Sequence, residues 1–399
     1  MTDLLANSIK IRRNITIKAG LALFAMFFGA SNLIFPLYIG ANSGQHIFSN
    51  IAGFLIGGVG IPIVGLIATG MFNGDYLAFF NRLGRVPGYL LIFFLILIVG
   101  PLGAMPRIET LVFSTLEPFM PQLLKTNAVF SIIFCSLVFF LAYKKNKIVE
   151  ILGVILSPIK IITVLVLIVA GTIHWNPEII INQSMTTAKA IKNSLIQGYC
   201  TMDLLATYFF SVIAFQFVNQ HKAQLENIDS NLTRIMINAS IIAGSIISCV
   251  YIGFMLLSYN HAGSLQNIPP VQMVTAVSSI VLGKFGSLYV CITVSFACLS
   301  TVLALSDVCT DYIDKVVTVG RVSRAVILFT VVLITYITSN FGFQQIMSYM
   351  TPILEVIYPA LITLSVMNIL YKCFGIKTVK IPVFLVGIVF LLKNYFNIF

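Results

Sequence analysis

The stretch FFGASNLIFP, Phe27 to Pro36, interrupts the first long apolar segment of the chain with Gly-Ala-Ser-Asn. Gly, Ser and Asn are poor helix formers, and lipid does not solvate an Asn amide. Pro36 follows, and proline disrupts helical hydrogen bonding at its own turn. Non-helical backbone at membrane depth persists only when it is buried in protein or lines a wet cavity. One reading is an interrupted helix. Its freed carbonyls can hold a cation, and its new N-terminus, beginning near Leu33, can face an anionic group. The alternative is a patch of small residues, Gly29, Ala30 and Ser31, for close helix packing.

The surrounding chain is built for lipid. Of its 399 residues 58% are hydrophobic and only 9% charged, too few to cover a soluble domain of this size. Apolar runs recur from end to end at about 20 residues, the length of helix that crosses a bilayer core. The sequence predicts an all-α polytopic membrane protein with eleven spans, roughly 17–43, 48–72, 88–115, 127–143, 148–172, 193–218, 235–258, 285–309, 322–338, 344–371 and 379–396. Val271–Leu282 is apolar but short, and reads as a surface helix. With a cytoplasmic N-terminus, most basic residues (Arg12, Arg13, Arg82, Arg85, Lys144, Lys145, Arg321 and Arg324 among them) fall on the inner side. That pattern accounts for the formal charge of +11 without a nucleic-acid partner. The start, MTDLLANSIKIRRNITIK, is polar and basic and does not read as a cleavable signal peptide. The seven cysteines are scattered and show no metal-binding spacing, and no GxSxG, HExxH or facing pair of aspartates points to an enzyme.

Two further stretches resemble the first in kind. Span 6 carries QGYCTMDLLATYFF, Gln197 to Phe210, with Gly198, Thr201 and Asp203 inside an apolar run. A carboxylate in a span usually faces the bundle interior; the alternative is an interfacial or helix-capping place just after Thr201. The two odd spans stand five apart. Five is odd, so a repeated unit would insert upside down the second time, and interrupted helices at matching positions point to a substrate site at the bilayer midplane. Span 8 carries VSFACLSTVLALSD, Val294 to Asp307, with Ser300 and Thr301 adjacent and Ala297 one turn earlier. Hydroxyls and carbonyls suit a hard monovalent cation, although such residues also bond back to their own helix. Arg107 and Glu109 in span 3 point to different helix faces and are expected to pair with other helices rather than each other. No function is assigned to Lys160 or Glu355.

At these residues the chain resembles the branched-chain amino acid:cation symporters of bacteria, the LIVCS carriers of the LeuT-like APC superfamily. FFGASNLIFP is similar to their FFGAGNLIFP, GYCTMDLLA to GYxTMDxLA, GPLGAMPR (Gly100–Arg107) to GPxxAIPR, FACLST to LACLTT, and PILEVIYPA (Pro352–Ala360) to PVLxxIYP. The matches run in order from about residue 17 to 371. The resemblance implies a LeuT-like fold with broken helices 1 and 6. It divides the chain into a cytoplasmic N-terminus (1–16), two inverted five-helix repeats (17–172 and 173–371) and an extra C-terminal helix (372–399). Departures are Ser31 in place of the usual Gly, Ile108-Glu109 after the motif arginine, and Ser114 near the place of a usual glutamate, which Glu117 would have to replace. The family usually has a twelfth span; the resemblance puts the final spans outside the transporting core.

The implied function is import of leucine, isoleucine and valine by alternating access, coupled to sodium, with no other cofactor. The cation positions carried over are Ala25, Phe28 and Asn32, with Ala297, Ser300 and Thr301. The substrate is a zwitterion. Its carboxylate is expected at the outer half of helix 1, within Gly29, Ala30, Ser31, Asn32 and Leu33. Its ammonium is expected at the helix 6 break, by Tyr199, Thr201 and Asp203. The expected location is the bacterial inner (cytoplasmic) membrane, multi-pass; the oligomeric state is left open. Two rivals stand beside this reading: a proton-coupled amino acid carrier of the same fold, using Asp203 or Glu109, and a non-transporting amino acid-binding paralogue.

Overall fold

A computed structural model describes every residue except Met1, Ala30, 144–147, 174, 176, 178–185, 221–231 and 397–399, and no strand occurs among the described residues. The helices are α1 (Thr2–Phe27), α2 (Ser31–Ala41), α3 (Ile47–Leu55), α4 (Ile61–Gly70), α5 (Tyr76–Phe80), α6 (Arg85–Val99), α7 (Ala104–Leu116) and α8 (Asn127–Tyr143). They continue as α9 (Ile148–Thr172), α10 (Thr187–Tyr199), α11 (Asp203–Gln220), α12 (Leu232–Asn260), α13 (Met273–Tyr312), α14 (Arg324–Ser339), α15 (Phe343–Phe374) and α16 (Lys380–Phe396). Each of the eleven expected spans falls on one helix or on a pair in line. Large apolar side chains such as Phe140, Ile162 and Ile388 stand more than half exposed on the outside, as a lipid-facing surface requires.

The first span breaks where its sequence resists a helix. The last regular bond of α1 runs from the Phe28 amide to the Phe24 carbonyl at 2.9 Å, and α2 restarts at Ser31 after a bend of 72°. Pro36 lies inside α2, one turn past its start, where a missing amide donor is least disruptive. The sixth span breaks between Tyr199 and Asp203, with a bend of 41°. There the chain tightens into three-residue turns, Thr201 amide to Gly198 carbonyl and Met202 amide to Tyr199 carbonyl. Met202 then takes a left-handed φ of 62°, which a helix cannot continue through.

Span 3, expected to be regular, is loosened at GPLG. The Leu102 amide reaches back five residues to the Leu97 carbonyl, and Met105 to Gly100, at 3.0 and 3.1 Å. Pro101 has no amide to give, so the wider turn absorbs the gap and re-aims α7. A π-helical turn also joins α3 to α4 over Ile56–Gly60. The short apolar stretch before span 8 is helical and joins it through a kink at Gly283, φ 67°.

α10 lies against this π-turn, and α9 packs on α13. Gly198 makes the first contact possible: a Cβ there would stand 2.6 Å from the Gly58 backbone nitrogen. Gly198→Ala is therefore expected to destabilise the folded protein by about 1–3 kcal/mol, the usual cost of overpacking. Gly60→Ala, whose Cβ would meet only the Leu55 carbonyl at 3.7 Å, serves as the comparison. Thermal unfolding of the purified variants in detergent measures the difference; equal midpoints would show that the helices do not meet this closely.

Candidate functional site

Asn32 organises the helix 1 break. Its Oδ1 accepts a hydrogen bond from the Gly29 amide at 3.3 Å, taking the place of a helical carbonyl. Its Nδ2 donates to Asp203 Oδ2 at 2.9 Å and to the Tyr251 hydroxyl of α12. Tyr251 in turn donates to the same Asp203 oxygen at 3.0 Å. All three side chains are buried. A single amide thus ties the start of α2 to the start of α11 and to α12, which is why Asp203 sits at membrane depth without an ion-pair partner among the described residues.

The helix 6 break is held from within. Thr201 Oγ1 donates to the Gly198 carbonyl at 2.8 Å and accepts from the Asp203 amide at 3.4 Å, so Thr201 closes one half-helix and starts the next. Asp203 opens α11, where a negative charge complements the free amides and the helix dipole. Capping and an interior carboxylate, separate alternatives on sequence, are one arrangement in the structure.

Arg107 of α7 reaches both breaks. One guanidinium nitrogen donates to Ser31 Oγ at 2.7 Å, and another to the Cys200 carbonyl at 2.6 Å and toward Met347 Sδ at 3.4 Å. The side chain is 2% exposed. Arg107 and Asp203 line one small cavity with Gly29, Ser31, Thr201 and Thr301, and room inside it comes to about 40 Å³. Phe27, Val99, Ile108 and Phe210 supply apolar wall. The cavity therefore offers one positive and one negative side chain beside an apolar surface.

The hydroxyl pair of span 8 is divided. Thr301 faces the central cavity, against the helix 1 break: a Cβ on Gly29 would lie 3.6 Å from it. Ser300 instead accepts a hydrogen bond from Lys160 Nζ of α9 at 3.3 Å. Both hydroxyls donate back to the Ala297 carbonyl, at 2.7 and 3.2 Å.

The expected site residues thus separate. Gly29, Ser31, Asn32, Thr201, Asp203 and Thr301 converge on one cavity. Leu33, Phe28 and Ala297 line a neighbouring apolar pocket with Lys160. Tyr199 stacks on Tyr358 at 4.4 Å and fronts an outer groove with Lys192 and Glu355. Ala25 is half-buried in α1, and Ala30 lies outside the described residues. Arg107 and Glu109 pair with other helices, as their spacing requires: Glu109 Oε1 accepts from Ser131 of α8 at 2.8 Å, away from the cavity. Glu117 sits on the turn after α7 and does not line the cavity. Three participants were not assigned from sequence: Arg107, Tyr251 and Lys160. The GPLGAMPR stretch was a signal for Arg107. Tyr251, in an unremarkable apolar helix, carries none.

The family model described as branched-chain amino acid transport protein matches residues 12–397. The branched-chain amino acid permease BraB of Bacillus subtilis (strain 168) is 30% identical over 367 residues, covering 90% of this chain and 80% of the permease. Among solved structures, MhsT in complex with L-phenylalanine matches with a TM-score of 0.59 at 16% identity, over 92% of this chain and 98% of that one. Mhp1, a nucleobase-cation-symport-1 family transporter, matches with a TM-score of 0.61 at 12% identity, over 95% and 91%. At such identities these two likenesses concern the fold alone, and they bear out the all-helical, LeuT-like architecture.

Tyr251→Phe removes the hydroxyl that both Asn32 and Asp203 use. Leaving buried polar atoms short of a partner costs about 1–3 kcal/mol, so the variant is expected to melt at a lower temperature than the parent protein in detergent. An unchanged melting temperature would show that the hydroxyl is dispensable to the break.

Proposed function

The chain belongs to the branched-chain amino acid transport protein family, and from that premise we propose that it imports leucine, isoleucine or valine by sodium-coupled alternating access. It is a multi-pass membrane transporter of LeuT-like fold, not an enzyme. The observation that carries the substrate reading is the opposed pair, Arg107 and Asp203, on an otherwise largely apolar cavity. A branched-chain amino acid has this pattern in complement: a carboxylate, an ammonium and an aliphatic side chain. The carboxylate goes to Arg107, Ser31 and the first amides of α2, where the helix dipole also favours negative charge. The ammonium goes to Asp203 and Thr201. The side chain lies along Phe27, Val99, Ile108 and Phe210. One methylene in such a pocket is worth about 1–3 kcal/mol, enough to rank aliphatic substrates but not to make one exclusive.

Sodium would sit at the helix 1 break beside Asn32 and Thr301, with the end carbonyls of α1 as further oxygens. Its inward gradient supplies about 2.3 kcal/mol per charge per 100 mV, besides the concentration term. The cavity of about 40 Å³ is smaller than the roughly 300–1,000 Å³ of small-molecule sites, so binding requires it to widen, as alternating access does. The two halves that would move are the inverted repeats at 17–172 and 173–371. Their support is the matching position of the two breaks. The excess of basic residues on one side favours a cytoplasmic N-terminus in a bacterial cell membrane. One observation favours a second reading, in which a proton couples transport: Asp203 is a carboxylate, 5% exposed, on the cavity wall.

Uptake of labelled leucine into proteoliposomes tests these points. Arg107→Gln and Asp203→Asn are each expected to lower uptake about thirtyfold or more, since stripping a partner from a buried charge contact costs about 2–5 kcal/mol. Asn32→Ala is expected to raise the half-saturating sodium concentration about tenfold. Uptake that follows a pH gradient and ignores sodium at fixed pH would replace sodium coupling by the proton reading. Uptake unaltered in both charge variants would remove the substrate assignment.

A further inference from the structure

We propose that Lys160 is the resident cation of the span 8 position, its ammonium standing where a second sodium ion would otherwise bind. Among the six cation positions carried over from the family resemblance, Phe28 and Ala297 line the same apolar pocket as Lys160, and Ser300 is its hydrogen-bond partner at 3.3 Å. Lys160 is 4% exposed, and among the described residues no carboxylate lies within ion-pair distance of it. A buried ammonium is costly unless something in its surroundings favours positive charge. Here that something is the set of features that would favour a metal ion. α1 ends at Phe27, and the last carbonyls and dipole of a helix attract a cation. Ser300 Oγ spends its proton on the Ala297 carbonyl, which leaves its lone pairs for a donor or an ion. An amine already placed there repels an incoming ion and takes the Ser300 oxygen that the ion would need.

The amine also has a fixed owner. It is carried by α9 and reaches α13, so it bridges two packed helices without dissociating during a transport cycle. A bound sodium at this place would arrive and leave with each turnover; Lys160 does not. The chain is thereby limited to one exchangeable sodium, the one beside Asn32. This inference rests on the sodium-coupled reading for its assay but not for its geometry.

The test is equilibrium binding of radioactive sodium to the purified full chain, together with leucine uptake as a function of sodium. The parent protein is expected to bind one sodium per chain, with a Hill coefficient of about 1. Lys160→Ala opens the position and is expected to bind two, with a coefficient rising toward 2, and the additional Ser300→Ala removes the gain. Lys160→Gln, which keeps a polar side chain of similar reach without the charge, provides a second route to the same gain if the alanine variant does not fold. Two sodium ions bound by the parent protein would overturn the proposal even if neither variant could be purified. A parent protein that binds no sodium would count against the sodium-coupled reading instead. In that case a first sodium acquired by Lys160→Ala or Lys160→Gln upholds the proposal, and none acquired overturns it.

Discussion

One guanidinium holds two broken helices together. Arg107 donates to the Ser31 hydroxyl beside the first break and to the Cys200 carbonyl inside the second. In a bilayer each unsatisfied backbone group costs several kcal/mol, and no water is present to take its place. Interrupted helices can therefore exist at this depth only if side chains supply what the missing turns no longer do. Asn32 does so for the Gly29 amide, Thr201 for the Asp203 amide, and Arg107 for the Cys200 carbonyl. The loosened GPLG turn matters because it sets the direction of α7, which carries Arg107 to a point between the breaks.

The same arrangement places charge. A lone buried cation and a lone buried anion would each be unfavourable; facing one cavity, Arg107 and Asp203 offset one another and together suit a dipolar solute. Span 8 adds a subtler partition. Consecutive residues on a helix point about 100° apart, so adjacent hydroxyls need not serve one site. Thr301 turns toward the central cavity, and Ser300 toward α9 and Lys160. What reads as one motif along the chain becomes two environments in space.

This difference between sequence and space decides how much was legible beforehand. The spans could be read because membrane crossing imposes a length and a composition on every helix. Both breaks could be read because Gly, Ser, Asn and Asp are anomalous in lipid, and Asn32 and Asp203 do meet. Tyr199 misled by proximity: it is one residue from the break, yet its ring turns outward to stack on Tyr358. Leu33 is in the right segment but faces the neighbouring pocket. Tyr251 was invisible because its partners lie 48 and 219 residues away, and nothing local marks a tyrosine that long-range packing selects. Lys160 was visible as a charge in an apolar run; its meaning depends on a serine 140 residues further on. The shift of hydrogen bonding at GPLG could have been suspected from its glycines and proline, but proline also occurs inside α2 and α15 with no change of element.

On the proposed reading, a substrate would find every polar contact it needs already made, but made internally. Arg107 donates to Ser31, and Asp203 accepts from Asn32 and Tyr251. A carboxylate can replace Ser31 as acceptor, and an ammonium can replace Asn32 as donor, with charge-assisted bonds in place of neutral ones. The exchange costs few hydrogen bonds in total, but it releases Asn32 from Asp203 and so unties α2 from α11. A ligand shifts a conformational equilibrium only by its differential affinity for the two states. Here that differential would arise where the internal ties and the ligand compete for the same atoms, so the groups that recognise an amino acid are also those that keep the two broken helices closed without one.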